Sequence, residues 1–296
     1  MTESELVSTA RQSRRVPDIL CGERVHYETL TETDWNEIAK IWDLLDEGEA
    51  DGARQELRTR FRVRMKHPDV RIVDAAISIE EGDPAHALEV LDGAERSADP
   101  ALFFHLRGLA NFDLCRFDDA RADAARALVV RPEFPDAHDL MSRTLEHRGD
   151  YAGAAEHATA AAELDSERFP LPLEMSDTDF DQLVERSLAE LPEPIRKHLE
   201  ELPVLIERLP TAAILGSENP PLPPDVLGLF VGRDLMSRTS LDVATSPGAI
   251  YLFRRNLLRF CHTLEELQKE VRVTVQHEVG HLLGLDEDDL DRWGLA

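Results

Sequence analysis

Four short segments of this chain end in an alanine at nearly constant spacing, and that spacing restricts the fold more than any other feature. "EGEADGA" ends at Ala53, "EGDPAHA" at Ala87, "LCRFDDA" at Ala120 and "RGDYAGA" at Ala154, at intervals of 34, 33 and 34 residues. A period near 34 is the length of a helix-turn-helix unit stacked on copies of itself. Gly48, Gly82 and Gly149 mark the turn between the two helices of their units, and Cys115 takes that place in the third. The alanine five residues after each turn lets the paired helices pack closely. Pro68, Pro100 and Pro132 are expected to close the second helices, because proline cannot continue a helix.

The repeat ends around residues 166–176, "SERFPLPLEMS", where alternating prolines break any helix. With 296 residues, two domains are expected, each large enough for its own core. The boundaries read as an N-terminal extension over 1–34, repeats over 35–168, a linker over 169–176 and a second domain over 177–296. The formal net charge of −26 divides into −15 for residues 1–170 and −11 for 171–296. Both halves would repel a polyphosphate or an anionic membrane, so neither nucleic acid nor a membrane is expected as a partner. No stretch approaches the ~20 apolar residues of a membrane span. The first residues, "MTESELVSTARQSRRVPDIL", carry acids where a signal peptide is basic. Cys21, Cys115 and Cys261 are odd in number and far apart, which argues against a disulfide framework and fits buried free thiols in a reducing cytoplasm.

The second half changes character. Ser176 is a candidate helix cap, followed by Phe180, Leu183, Val184, Leu188 and Leu191 at helical spacing. "PVLIERL", "VLGLFVG" and "AIYLF" read as short strands of one small mixed sheet, separated by the proline loop "SENPPLPPD". A last long helix starts at a capping box, Thr263 with Glu266, and runs to Gly284.

That helix carries "QHEVGHLLGLDEDD". Residues four apart on a helix lie about 40° from each other, so His277 and His281 can turn ring nitrogens to one zinc ion. Glu278, on the shoulder of the same turn, is placed to take a proton from a water attacking a carbonyl and to return it to a leaving amine. Gly284 is placed to stop the helix and turn the acids of "DED" back over the imidazoles. A structural zinc site would have no use for Glu278.

Two resemblances follow from these residues. Residues 35–168 resemble the tetratricopeptide repeat family, through the recurring glycine and alanine, Gly108 with Ala120, and Gly149, Asp150 and Tyr151 with Ala154. The resemblance implies an all-α solenoid whose concave face binds peptides or proteins. Residues from about 177 to 296 are similar to the minimal zincin-like metallopeptidases, through "LGLFVGRDLMSRT", "AIYLFRRNLLRF" and a terminal HExxHxxGxxD-type segment. It implies an α+β zincin-like domain with a small mixed sheet, acting as a zinc-dependent peptidase on peptide or protein substrates. "AIYLF", Ala249 to Phe253, is then either the strand that pairs with extended substrate or a core strand. The last motif position holds Glu287 where the family has Asp, which leaves the third zinc ligand between Glu287 and Asp286.

The reading is therefore a two-domain zinc metallopeptidase with a repeat region that recruits a partner. Its rival is an interaction scaffold whose zincin-like domain is structural or silent. Oligomeric state and substrate are not legible. Because stacked repeats contact mainly their neighbours, a fragment ending near Phe169 is expected to fold alone with a helical circular-dichroism spectrum. A disordered spectrum from that fragment would count against both the repeat reading and the boundary.

Overall fold

The computed structural model describes residues 27–200, 202–217, 219–232 and 248–283. Most of the expected N-terminal extension lies outside the described residues. Beyond it, an all-α region comprises α1 (Glu32–Asp46), α2 (Ala50–Arg60), α3 (Pro68–Glu80), α4 (Pro84–Leu91), α5 (Pro100–Asp113), α6 (Phe117–Val130), α7 (Pro135–His147) and α8 (Tyr151–Leu164). They form four helix-turn-helix pairs in chain order. The turn glycines adopt left-handed backbone, with φ of +78° at Gly48, +75° at Gly82 and +80° at Gly149, which only a residue without Cβ enters freely. Cys115 holds the same turn at +59° despite its side chain. Ala53, Ala87, Ala120 and Ala154 are all buried between their helices.

The prolines stand at the junctions in a different role from the one expected. Pro68 and Pro100 are the first residues of α3 and α5, where a helix has no use for the missing N–H. They open the following helix, and Pro132 lies in the α6–α7 connection. The charged run of α2 makes specific contacts with the neighbouring helix. Arg54 reaches α3, donating to Ser78 Oγ at 2.9 Å and to Glu81 at 2.7 Å, and it pairs with the buried Asp74.

The C-terminal region is α+β. Ser176 caps α9 (Asp177–Ala189), its Oγ accepting the Asp179 N–H at 3.1 Å. Then come α10 (Glu193–Leu199), β1 (Val204–Glu207), α11 (Ala212–Leu215), β2 (Gly228–Val231), β3 (Ala249–Phe253), α12 (Arg254–Phe260) and α13 (Leu264–Leu282). The three strands form a small mixed sheet in the order β1-β3-β2, with β1 parallel and β2 antiparallel to β3. The chain is thus multidomain, an all-α N-terminal region followed by an α+β region with a small mixed sheet. Among the described residues no helix is long and apolar enough to cross a membrane.

The α+β core depends on one stripe of α13. Leu267, Val271, Val275 and Val279 recur every fourth residue and are all buried. They pack with Phe180, Leu183 and Val184 of α9 and with Ile250 and Leu252 of β3. Thr263 caps α13 through the Glu266 N–H at 3.1 Å, but the Glu266 carboxylate reaches back to the N–H of His262 rather than that of Thr263. The two regions meet at α7 and α12. Glu146, almost fully buried, accepts from both Arg255 and Arg259, and Asp139 accepts from Arg259 at 3.0 Å.

His105 and His147 are held in the helical array with little access to water, and burial pushes both rings down to about 4. Between pH 4 and the ordinary 6.5 the unfolded chain binds protons that the folded rings do not, so their contribution is complete above 6.5 and is lost as pH falls toward 4. Asp113 works in the opposite sense, burial raising its carboxyl to about 6. With two histidines against one aspartate, the thermal midpoint is expected to fall on acidification across this window. The slope should be shallower in His147→Gln, measured by thermal melts from pH 7 to pH 4.

Candidate functional site

The candidate site residues lie on α13 along one flank of its apolar stripe, the two histidines partly exposed and Glu278 buried. At 100° per residue, Thr274, His277, Glu278 and His281 fall within a sector about 100° wide, with Thr274 and Glu278 bordering the apolar stripe and His277 roughly opposite Val275. His277 Nε2 and His281 Nε2 approach to 2.9 Å, with ring centroids 4.6 Å apart and planes nearly perpendicular. Such a separation suits two lone pairs turned toward one ion, or one proton shared between the rings. Both rings are partly exposed, whereas Glu278 beside them is buried at 7% exposure.

The strand that meets this face is β2. The N–H of Phe230 donates to Glu278 Oε2 at 2.6 Å, a short bond to a charged acceptor. One helical turn earlier, Gly228 lies over Thr274 so closely that a Cβ on the glycine would sit 2.4 Å from Thr274 Cγ2. Two strand residues advance about 6.7 Å and four helix residues about 6 Å, so Gly228 and Phe230 fall in step with Thr274 and Glu278. A glycine at the first contact brings the backbone near enough for the second.

The hydrogen-bond alternation of β2 follows from its pairing. The Phe253 N–H donates to the Leu227 carbonyl at 2.9 Å, so Leu229 and Val231 also direct their backbone groups to β3, while Gly228 and Phe230 direct theirs away from it. Glu278 therefore sits on the outer edge of β2. This settles the alternative left open for "AIYLF": β3 is paired on both sides and is a core strand, not a substrate-pairing edge. Arg254 and Arg255, which follow β3, turn elsewhere. Arg254 pairs with Asp177 at 2.8 Å and Arg255 turns to Glu146.

Sequence reading located His277, Glu278 and His281 but not the contributions of Gly228, Phe230 and Thr274. The signal from Phe230 is a backbone group, to which side-chain identity is blind. Gly228 stood in the "LGLFVG" run, and its meaning required knowing which helix the strand crosses. Gly284, Asp286 and Glu287 lie outside the described residues. Among the described residues no group of three or more His, Cys, Asp or Glu is placed to hold a metal ion. Cys261 is no nucleophile, since burial, together with the carboxylates of Glu270 and Glu266, holds its thiol at about 11.

Gly228→Ala is expected to destabilise the C-terminal region by about 1–3 kcal/mol through overpacking against α13. Thr274→Ser removes the methyl that the new Cβ would strike, so adding it should recover part of the loss in urea unfolding. Equal stability of Gly228→Ala and the wild-type protein would show that the strand has room to shift.

No curated protein matches this chain. Among protein families, the one that residues 199–295 match, a span holding β1 to β3 together with His277, Glu278 and His281, is that of the zincin-like metallopeptidases.

Proposed function

We propose that this chain is a zinc-dependent metallopeptidase, with a tetratricopeptide-like repeat region over 35–168, a linker over 169–176 and a zincin-like catalytic domain over 177–296. The observation that carries the reading is the convergence of His277 and His281 at 2.9 Å beside the buried carboxylate of Glu278. Two imidazoles are donors that zinc accepts, and a carboxylate beside them can act on a bound water. His277 and His281 would hold the ion, with Glu287 as third ligand and Asp286 as the rival for that place. Bound there, zinc supplies Lewis acidity, polarising the scissile carbonyl and easing deprotonation of the attacking water.

The chain's own residues do the rest. Glu278, its Oε2 fixed by the Phe230 N–H, accepts the water proton as the new carbon–oxygen bond forms. It then delivers that proton to the leaving nitrogen as the carbon–nitrogen bond breaks, which balances amide hydrolysis. An extended peptide would lie along the outer edge of β2, using the Gly228 backbone groups and the Phe230 carbonyl that point away from β3, since Glu278 takes the Phe230 N–H. The substrate is a peptide or unfolded protein segment, because only extended backbone can pair with a strand edge. The repeat region would supply a protein-binding concave face, in a cytoplasmic protein.

Purified protein is expected to bind about one zinc per chain and to cleave a denatured protein substrate. Glu278→Gln should keep the metal and lower turnover by about 10²–10⁴-fold. His281→Ala should lose the metal, since two protein ligands rarely hold zinc tightly. Glu287→Ala should lose both metal and activity while Asp286→Ala keeps them, and the reverse pattern would transfer the ligand role. Equal cleavage by wild type and Glu278→Gln would favour the scaffold reading.

A further inference from the structure

The Phe230 backbone donor to Glu278 belongs to a strand of four residues, and the described segment leading into that strand is held by the packing of Leu227 against the core and by hydrogen bonds. A cavity of about 510 Å³ borders Pro224, Asp225 and Leu227 on one side. Atoms facing a void have no packing partners there, so on that side directional contacts help to decide where the segment sits. Asn256, buried on α12, supplies them. Its side-chain amide donates to the Pro224 carbonyl at 2.9 Å and to the Val226 carbonyl at 2.7 Å. Two residues later the strand begins, and four residues later comes Phe230.

The helical array in turn holds Asn256. The residue stands between Arg255 and Arg259, and both guanidiniums end on Glu146 of α7, with Asp139 taking the other arm of Arg259. At the start of the same segment, the Cys115 thiol faces the Leu222 carbonyl at 3.7 Å. Cys115 is the one non-glycine residue with left-handed backbone among those described, and its three counterparts are glycines. A side chain kept at a strained turn, against the pattern of its own repeat, marks a contact that glycine could not make. The segment from Leu222 to Leu227 is thus held between the array and α12.

We propose that Asn256 is a positioning residue for the candidate hydrolytic site, placed by the helical array through Glu146, Arg255 and Arg259. It fixes the segment that sets the Phe230 N–H against Glu278, and so the orientation of the proposed base. The helical array is then part of the peptidase's framework as well as a surface for partners. The kinetic consequence rests on the peptidase reading proposed above, whereas the geometric one does not.

The test uses full-length protein carrying Asn256→Ala, Asn256→Asp or Glu146→Gln. Asn256→Asp keeps the volume but sets a carboxylate against two carbonyls, so it weakens the same contacts without opening a cavity. Amide exchange at Phe230 in the zinc-free protein is expected to rise by about tenfold or more in both Asn256 variants and by less in Glu146→Gln, with α13 protection retained. Zinc affinity should match wild type, and kcat should fall by about tenfold with KM within about twofold, as expected for a misplaced base. Wild-type exchange at Phe230 in both Asn256 variants would overturn the proposal. So would an equal rise throughout the C-terminal region, which would make Asn256 merely a stabilising residue. If the wild-type protein binds zinc but cleaves nothing, the peptidase reading fails, and Phe230 exchange still decides the placement of β2.

Discussion

The hydrogen bond from the Phe230 backbone to the Glu278 carboxylate is where the separate parts of this molecule meet. A buried carboxylate needs a donor, because desolvating it without one is costly. Here one such donor comes from the backbone of a strand edge, so its position depends on everything that places β2. The glycine at position 228 lets strand and helix approach, the pairing with β3 fixes which backbone groups point outward, and the four-residue apolar ladder of α13 anchors the helix against α9 and the sheet.

The junction between the two regions has a related character. Glu146 is buried with two guanidiniums on it, and Asp139 shares one of them. Buried ion pairs contribute little net stability compared with apolar packing, since desolvation offsets most of the attraction. Their consequence is geometric: an unpaired charge left behind by a slipped interface would be expensive, so the arrangement tolerates few alternatives. Because α12 follows β3 with no residue between them, whatever fixes α12 also fixes one end of the central strand.

Several departures from the sequence expectations share one cause. Prolines read as helix stops open the next helix, because a break signal does not say on which side of the break the residue falls. "AIYLF" could have been an edge or a core strand, and its composition could not distinguish them: a five-residue apolar run suits either. Arg254 and Arg255 directly follow "AIYLF" in the chain, yet their side chains reach Asp177 and Glu146, far away in sequence. The fold brings His138 and His157 to 2.8 Å across neighbouring helices, a contact that their spacing of 19 residues does not signal.

What the sequence determined by itself is the local and periodic part. A 34-residue spacing of small residues requires stacked helix pairs, a left-handed turn selects glycine at Gly48, Gly82 and Gly149, and a four-residue spacing puts His277 and His281 on one helical face. Each follows from backbone geometry within a few residues, so no knowledge of the rest of the chain is needed. The tertiary structure alone decided that β3 is central and β2 lies at an edge, that a main-chain amide is the partner of Glu278, and that α12 joins the sheet to the helical array. Those relations run between residues from about 20 to more than 100 positions apart, and they are fixed by which surfaces can be buried together, a property of the whole chain and of no single segment.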